Sequence, residues 1–87
     1  MVNDESNAVR IANEKTGRAY DFATVSNGVS HVLGMKVWRL HTNEPLLGAP
    51  KAYIAADGTC FNLPTQKIDK DEYAAAIQAR YDRARGL

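Results

Sequence analysis

The chain has little cysteine, no long apolar run and no excess of charge of either sign. Its single cysteine, Cys60, excludes an intramolecular disulfide. Eleven basic and ten acidic side chains give a formal net charge of +1, whereas proteins that grip phosphate backbones usually carry a clear basic excess. No apolar run approaches the roughly 20 residues that cross a bilayer. We therefore expect a cytoplasmic protein with no membrane association.

What is present is the composition of a small globular domain. Of its 87 residues 45% are hydrophobic and 24% are charged, which is ordinary for a folded chain and unlike a disordered one. Residues 1–7 are polar and show no periodicity. We expect them to form a flexible tail before a single α+β domain over residues 8–87.

An N-terminal hairpin is predicted from two alternating runs, residues 8–13 and 18–25. Closing residues 14–17 as a loop places Ile11 opposite Tyr20 on one face of the hairpin. The same register pairs Val9 with Phe22 and Arg10 with Asp21.

A second hairpin is predicted around Asp57-Gly58, between strands at residues 51–56 and 59–63. Asp-Gly favours a two-residue type I′ turn, which places Ile54 opposite Phe61. Residues 35–41 carry apolar side chains on both faces and predict a strand covered on both sides.

Two segments between these elements are irregular. Residues 29–33 are compatible with a short fifth strand, and residues 42–50 contain two prolines and a glycine that predict a loop. Because the charged residues near the hairpins have structural roles in this interpretation, we expect function to lie in residues 26–33, in residues 42–50 and on Trp38.

The C-terminal segment predicts a helix over residues 70–85. Asp69 is a good N-cap residue, with Glu72 three positions later. One stripe of the helix carries Tyr73, Ala74, Ile77, Tyr81 and Ala84. The expected fold is thus an antiparallel sheet of four to five strands with this helix packed on one face. Its predicted core is Ile11, Tyr20, Phe22, Trp38, Ile54, Phe61 and Leu63 against Tyr73, Ile77 and Tyr81.

Catalytic and metal sites have little support. Cys60 with His31 or His41 would supply a nucleophile and a base, but no recognisable signature surrounds the cysteine. The same residues with Asp57 lack the close spacing of structural zinc ligands. No glycine-rich phosphate loop is present. We expect no enzymatic activity, no cofactor and no metal.

The favoured interpretation is a small protein-binding domain, an inhibitor or adaptor that acts by covering a surface of its partner. Trp38 and Arg39 are of the residue types that anchor interfaces, and Leu46 and Leu47 lie in the proline-containing loop. Core positions for Trp38 and for the leucine pair are the alternatives. An open sheet edge offers a second route, to a partner strand or to a homodimer.

A nucleic-acid-binding module is the alternative function, because some small sheets lie in a DNA groove. It would use the sheet and the basic end of the C-terminal helix. Its candidate residues are Arg10, Arg18, Lys36, Arg80, Arg83 and Arg85.

Overall fold

The fold is α+β, with a four-stranded antiparallel sheet between helices. A computed structural model describes residues 2–43, 50–64 and 69–86. The elements follow the order α1 (Glu5–Thr16), β1 (Phe22–Val25), α2 (Asn27–Leu33), β2 (Val37–His41), β3 (Lys51–Ala55), β4 (Cys60–Leu63) and α3 (Lys70–Ala84). The strands form a meander, β1-β2-β3-β4. The predicted fold class is confirmed, with two helices more than expected in these residues.

The predicted N-terminal hairpin is wrong, because residues 5–16 form helix α1. The same segment has Ala8 and Ala12 four residues apart, which is about one helical turn, and both are fully buried. Arg10 does not face Asp21. It pairs with Glu14 on the next helical turn, at 3.5 Å from guanidinium to carboxylate.

Helix α1 has signals at both ends. The Asp4 carboxylate accepts the backbone N–H of Asn7 at 2.8 Å, as an N-cap. Gly17 ends the helix in the left-handed conformation, with φ 69°. Val2 is 4% exposed and packs in the core. The segment predicted as a tail therefore contributes to the folded unit, which begins before residue 8.

Helix α2 occupies the segment for which a fifth strand was considered. Ser26 stands at its N-cap position, and Gly34 ends it in the left-handed conformation. Val29 anchors it in the core at 0% exposure. The Ser30 hydroxyl then accepts the N–H of Val37 at 2.8 Å, which ties the helix to the start of β2.

The second hairpin forms with a register one residue away from the prediction. Phe61 lies opposite Tyr53, and Ile54 lies opposite Cys60. Ala56 joins the turn, and Gly58 alone has positive φ there, 89°. A type I′ turn needs positive φ at both central residues, and Asp57 does not adopt it. The hairpin therefore has a three-residue loop, residues 56–58.

Strand alternation divides the core into two clusters on opposite faces of the sheet. On the face covered by α1 (the α1 face), Ala8 and Ala12 pack with Trp38 and Ile54. The face covered by α2 and α3 is called the α3 face. Its core residues are Val29, Val37, Tyr53, Ala55, Phe61, Leu63, Ile77 and Tyr81. The predicted single core is thus split by the sheet, since successive side chains point to opposite faces.

Strand β2 and helix α3 form where they were predicted, but the prediction that Tyr73 lies in the core is wrong. Val37 and Trp38 are 0% and 2% exposed on opposite faces, as expected for a central strand. Helix α3 packs on β4 and α2, and its buried residues are Ile77 and Tyr81. The predicted side-chain cap from Asp69 does not form. Tyr73 is 37% exposed at the helix start.

The loop at residues 56–58 is held from both sides of the sheet. The Lys15 ammonium of α1 donates to the Gly58 carbonyl at 2.7 Å, and the Tyr81 hydroxyl of α3 donates to the Asp57 carboxylate. Burial alone would raise the pKa of Asp57, but hydrogen bonds from Tyr81 and Thr59, with the nearby Arg85, leave it below its usual value. The hydrogen bond to Asp57 in turn raises the pKa of Tyr81.

We expect Tyr81→Phe to lower the free energy of unfolding by about 1–2 kcal/mol at neutral pH, because the Asp57 carboxylate loses the hydrogen bond from the Tyr81 hydroxyl. The loss is modest because Asp57 is exposed and water can replace the lost donor. The folded-state pKa of Asp57 is depressed, so this stabilisation is present above the unfolded pKa of about 3.9 and is lost as pH falls through the folded value. Urea unfolding at several pH values should show the two proteins converging below about pH 4. Tyr73→Phe is the control, because it removes the hydroxyl of an exposed tyrosine on the same helix. A stability difference between wild type and Tyr81→Phe that did not change with pH would contradict the conclusion that it arises from the hydrogen bond to Asp57.

In the described part of the chain, none of the helices combines the length and the apolar character needed to cross a membrane.

Candidate functional site

Strand β1 forms one edge of the sheet, and no strand among the described residues pairs with its outer side. Its four residues, Phe22 to Val25, include no proline and no charged side chain. Phe22 is 39% exposed and Val25 is 44% exposed, and with Tyr73 they are the exposed large apolar side chains among the described residues. Natural edge strands usually carry a charge, a proline or a bulge that discourages pairing. This strand, called here the β1 edge, carries neither a charged side chain nor a proline.

On the α3 face, the β1 edge presents a preformed aromatic surface. Phe22 lies opposite His41 in the register, and their rings stack at 4.7 Å between centroids and 9° between planes. Thr24 Oγ1 is hydrogen-bonded to His41 Nε2 at 2.8 Å. Burial, and then the charge of Arg39, lower the pKa of His41. The imidazole is therefore neutral at pH 7, and the Phe22–His41 pair offers apolar contact area.

The opposite edge strand, β4, buries its large apolar side chains against helix α3. In β4, Phe61 and Leu63 are 5% and 3% exposed, and α3 packs against the strand. Pro64, which has no N–H to donate, follows the strand directly. The two edge strands thus differ in that β1 exposes its large apolar side chains, Phe22 and Val25, to an added strand.

A cavity of about 420 Å³ lies beside the β1 edge, where β2 ends and β3 begins. Its floor is a row across three strands on the α1 face, since Leu40 lies opposite Ala52 and Ala52 lies opposite Asn62. One wall is the connection from α1 to β1. The described residues that line it are Arg18, Ala19, Tyr20, Arg39, Leu40, His41, Thr42, Pro50, Lys51, Ala52 and Asn62.

The wall of this cavity is fixed by a side chain of α1. Asn13 Oδ1 accepts the backbone N–H of Tyr20 at 2.8 Å, and Asn13 Nδ2 donates to the Tyr20 carbonyl at 3.2 Å. This pair of bonds replaces the strand pairing that the predicted hairpin would have supplied there. Burial raises the pKa of Tyr20, so the phenol is neutral at pH 7.

The predicted protein-contact residues are not gathered on one surface. Trp38 is 2% exposed in the α1-face cluster, which agrees with its core alternative and removes it from the accessible surface. Arg39 is partly exposed and lines the cavity. Leu46 and Leu47 lie outside the described residues. The functional focus on residues 26–33 and 42–50 rested on two strand pairings, Ile11–Tyr20 and Ile54–Phe61, that the structure does not contain.

The predicted nucleic-acid contacts divide between the two sides of the sheet. Arg10 and Arg18 belong to α1 and the connection after it, on the α1 face, whereas Arg80 and Arg83 belong to α3. Arg85 covers the Tyr81 ring on the α3 side, 5.3 Å from the ring centroid. Lys36 lies over the Trp38 ring at 5.4 Å. One nucleic-acid strand lying flat on either face would therefore meet only part of this set.

Cys60 is separated from both histidines, since His31 belongs to α2 on the α3 face and Cys60 packs against the α1-face cluster. In the sheet register, Cys60 lies two strands away from Trp38, at the same level. His41 lies three residues further along the strand of Trp38. Standard sheet spacings therefore place Cys60 and His41 about 14 Å apart. Burial raises the pKa of the Cys60 thiol, which disfavours the thiolate form that a nucleophile requires. Within residues 2–43, 50–64 and 69–86, no group of three His, Cys, Asp or Glu side chains is placed to hold a metal ion.

Sequence reasoning missed Phe22, Val25 and Lys51 as site residues. Phe22 was predicted in the core opposite Val9, and Val25 was placed at the end of the same hairpin strand, residues 18–25. Once α1 is a helix, β1 loses that neighbour and becomes an edge. The capping residues Asp4 and Gly17 were the signal that could have revealed this change.

No protein-family model matches this chain, and no curated protein or solved structure matches it either.

Proposed function

We propose that this chain is a small non-enzymatic protein-binding domain that takes an extended segment of a partner protein onto its β1 edge. The observation that carries this proposal is an open edge strand, free of charge and proline, whose Phe22 and Val25 are 39% and 44% exposed. A partner strand would gain main-chain hydrogen bonds along β1 and contacts on both faces. An inhibitor or adaptor role in the cytoplasm belongs to the same proposal.

The two exposed side chains give the edge two different contact surfaces. Phe22 and its stacked partner His41 lie on the α3 face. Val25 lies opposite Trp38, whose side chain packs in the α1-face cluster, so Val25 points to the α1 face. An added strand places alternate side chains on both faces of the sheet. Apolar residues at matching positions of the partner would therefore contact Phe22 on one side and Val25 on the other.

The nucleic-acid alternative has weaker support from the geometry. Its arginines lie on both sides of the sheet, and acidic Asp71 and Glu72 directly precede exposed Tyr73 on α3. With a net charge of +1, the chain offers no single basic face across its described residues. If nucleic acid is the partner, affinity for a mixed single-stranded oligonucleotide should fall steeply with salt.

Val25→Lys tests the proposed edge. A lysine at an exposed edge position leaves the fold intact but disfavours strand addition, so we expect partner binding to weaken at least roughly tenfold, as for loss of a central apolar contact. The partner would first be captured from nuclease-treated host extract with the full chain as bait. Affinities of wild type and variant would then be measured with the isolated partner.

Tyr73→Lys is the matched control, since Tyr73 is also an exposed apolar residue, 37% accessible, but lies on α3. It should bind as wild type does. Hydrogen exchange of the complex should show protection at residues 22–25. Equal weakening by both variants, or protection confined to other segments, contradicts strand addition at β1. Concentration-dependent dimerisation abolished by Val25→Lys would identify a second copy as the partner.

A further inference from the structure

The cavity beside the β1 edge has a distinctive set of charges. Of the eleven described residues that line it, three are basic, Arg18, Arg39 and Lys51, and none is Asp or Glu. The nearest acidic residue along the chain, Asp21, accepts the backbone N–H of Asn43 at 2.7 Å. Because the ionised side chains among these described residues are all cations, this part of the cavity surface attracts anions and repels cations.

Strand alternation assigns different roles to the three cations. Leu40 and Ala52 form the floor on the α1 face, so Arg39 and Lys51, their neighbours along the strands, point toward the α3 face. The influence of Arg39 on the pKa of both Tyr53 and His41 agrees with this placement. Arg18 lies outside the sheet, on the wall formed by residues 18–20. Arg18 is thus the guanidinium placed to contact a ligand directly, while the other two raise the local positive potential.

The rest of the cavity suits the body of a small organic molecule. Leu40, Ala52 and the Tyr20 ring supply apolar contact, and Asn62 supplies an amide at one end of the floor. Tyr20 is held in place through Asn13, so this wall is formed before any ligand arrives. Its volume of about 420 Å³ lies within the usual range of small-ligand sites, about 300–1,000 Å³.

We propose that this cavity binds a small organic anion, with a phosphate or carboxylate group at Arg18 and an apolar portion on the floor formed by Leu40 and Ala52. Arginine forms two parallel hydrogen bonds with either oxyanion. The site is separate from the proposed strand-binding edge, and neither depends on the other for its chemistry.

Titration of the full chain with phenyl phosphate, benzoate and benzyl alcohol, followed by amide chemical shifts, tests this proposal. We expect one or both anions to shift amides at residues 18–20, 39–42 and 51–52, and to bind at least roughly tenfold more tightly than the neutral alcohol. The better of the two anions identifies the oxyanion class. Failure of both anions to shift these amides in low-salt buffer overturns the proposal, as does equally tight binding of benzyl alcohol.

Arg18→Gln should weaken binding of the preferred anion roughly tenfold, because it removes a charge-assisted contact. Arg83→Gln is the matched control, with the same loss of charge on exposed α3, and should leave affinity within about twofold, since a distant exposed charge is screened. Equal effects of both variants would mean that net charge, not this cavity, drives binding. Val25→Lys should bind the anion as wild type does. Anion binding and strand addition are therefore tested by different variants, and either proposal can be overturned while the other holds.

Discussion

Trp38→Ala is expected to lower the free energy of unfolding by about 3–5 kcal/mol, the usual cost of removing a large buried aromatic side chain. Trp38 is 2% exposed on the central strand β2 and packs in the α1-face cluster. A chain of 87 residues has a total stability of roughly 4–13 kcal/mol. The expected loss is therefore a large fraction of the total stability. Urea unfolding followed by circular dichroism measures the change without relying on tryptophan fluorescence.

This result would separate the two interpretations of Trp38. Tyr73→Ala is the control, because Tyr73 is 37% exposed and its truncation should cost less than about 1 kcal/mol. If Trp38→Ala instead kept nearly all of its stability and lost partner binding, the residue would be an interface anchor rather than a core residue. Trp38→Phe, which keeps most of the buried volume, should recover much of the lost stability.

Ile77→Ala is expected to cost about 3–4 kcal/mol, within the range for truncation of a fully buried isoleucine. Ile77 is 0% exposed and belongs to the α3-face cluster with Tyr53 and Phe61. Because α3 packs on β4 and α2, the loss should loosen both contacts. Urea unfolding with amide hydrogen exchange should show the lower stability together with weaker protection in α2 and α3.

Gln78→Ala is the adjacent control, exposed on the same helix and bonded only to Asp82 in the described residues; it should cost less than about 0.5 kcal/mol. The two clusters also make a joint prediction. Because Trp38 and Ile77 lie on opposite faces of the sheet, the mild variants Trp38→Phe and Ile77→Val should be additive within about 0.5 kcal/mol. A coupling well above that value would contradict two separate clusters.

The proposed function and the proposed ligand site lie at the same end of the sheet but use different groups. Strand addition depends on the backbone of β1 and on Phe22 and Val25. Anion binding depends on Arg18 and on the floor of the cavity. A ligand in the cavity would border His41, which stacks on Phe22. Because the two sites adjoin each other at His41, partner affinity can be compared with and without the anion to test whether they influence each other.

The elements predicted well from sequence are those whose signals are local. Helix α3 combines an apolar stripe, an alanine run and acidic residues in its first turn, and the structure places it at Lys70–Ala84. The turn at Asp57-Gly58 was found for a similar reason, since Gly58 supplies a positive φ there. Its register was missed by one residue because the hydrogen bonds that define the loop close through Ala55 and Thr59, outside the dipeptide itself.

Helix α1 was missed because its apolar positions fit two periods. Residues 8–13 alternate as a strand would, and they also place Ala8 and Ala12 on one helical face. The caps at Asp4 and Gly17 favour the helix locally, and contact with Trp38, Ile54 and their neighbours across the sheet decides between these periods. The exposure of Phe22 and Val25 follows from that decision, because a helix at residues 5–16 leaves β1 without an outer neighbour.

By itself, the sequence of this protein determined an α+β fold, a C-terminal helix, a central strand covered on both faces and a turn at Gly58. Each of these depends on residues close together in the chain. The tertiary structure alone decided which strand became the open edge, which face each cluster of the core occupies, and that Arg18 meets Leu40 and Ala52 around one cavity. These features require contacts between residues far apart in sequence, and such contacts carry no local signal.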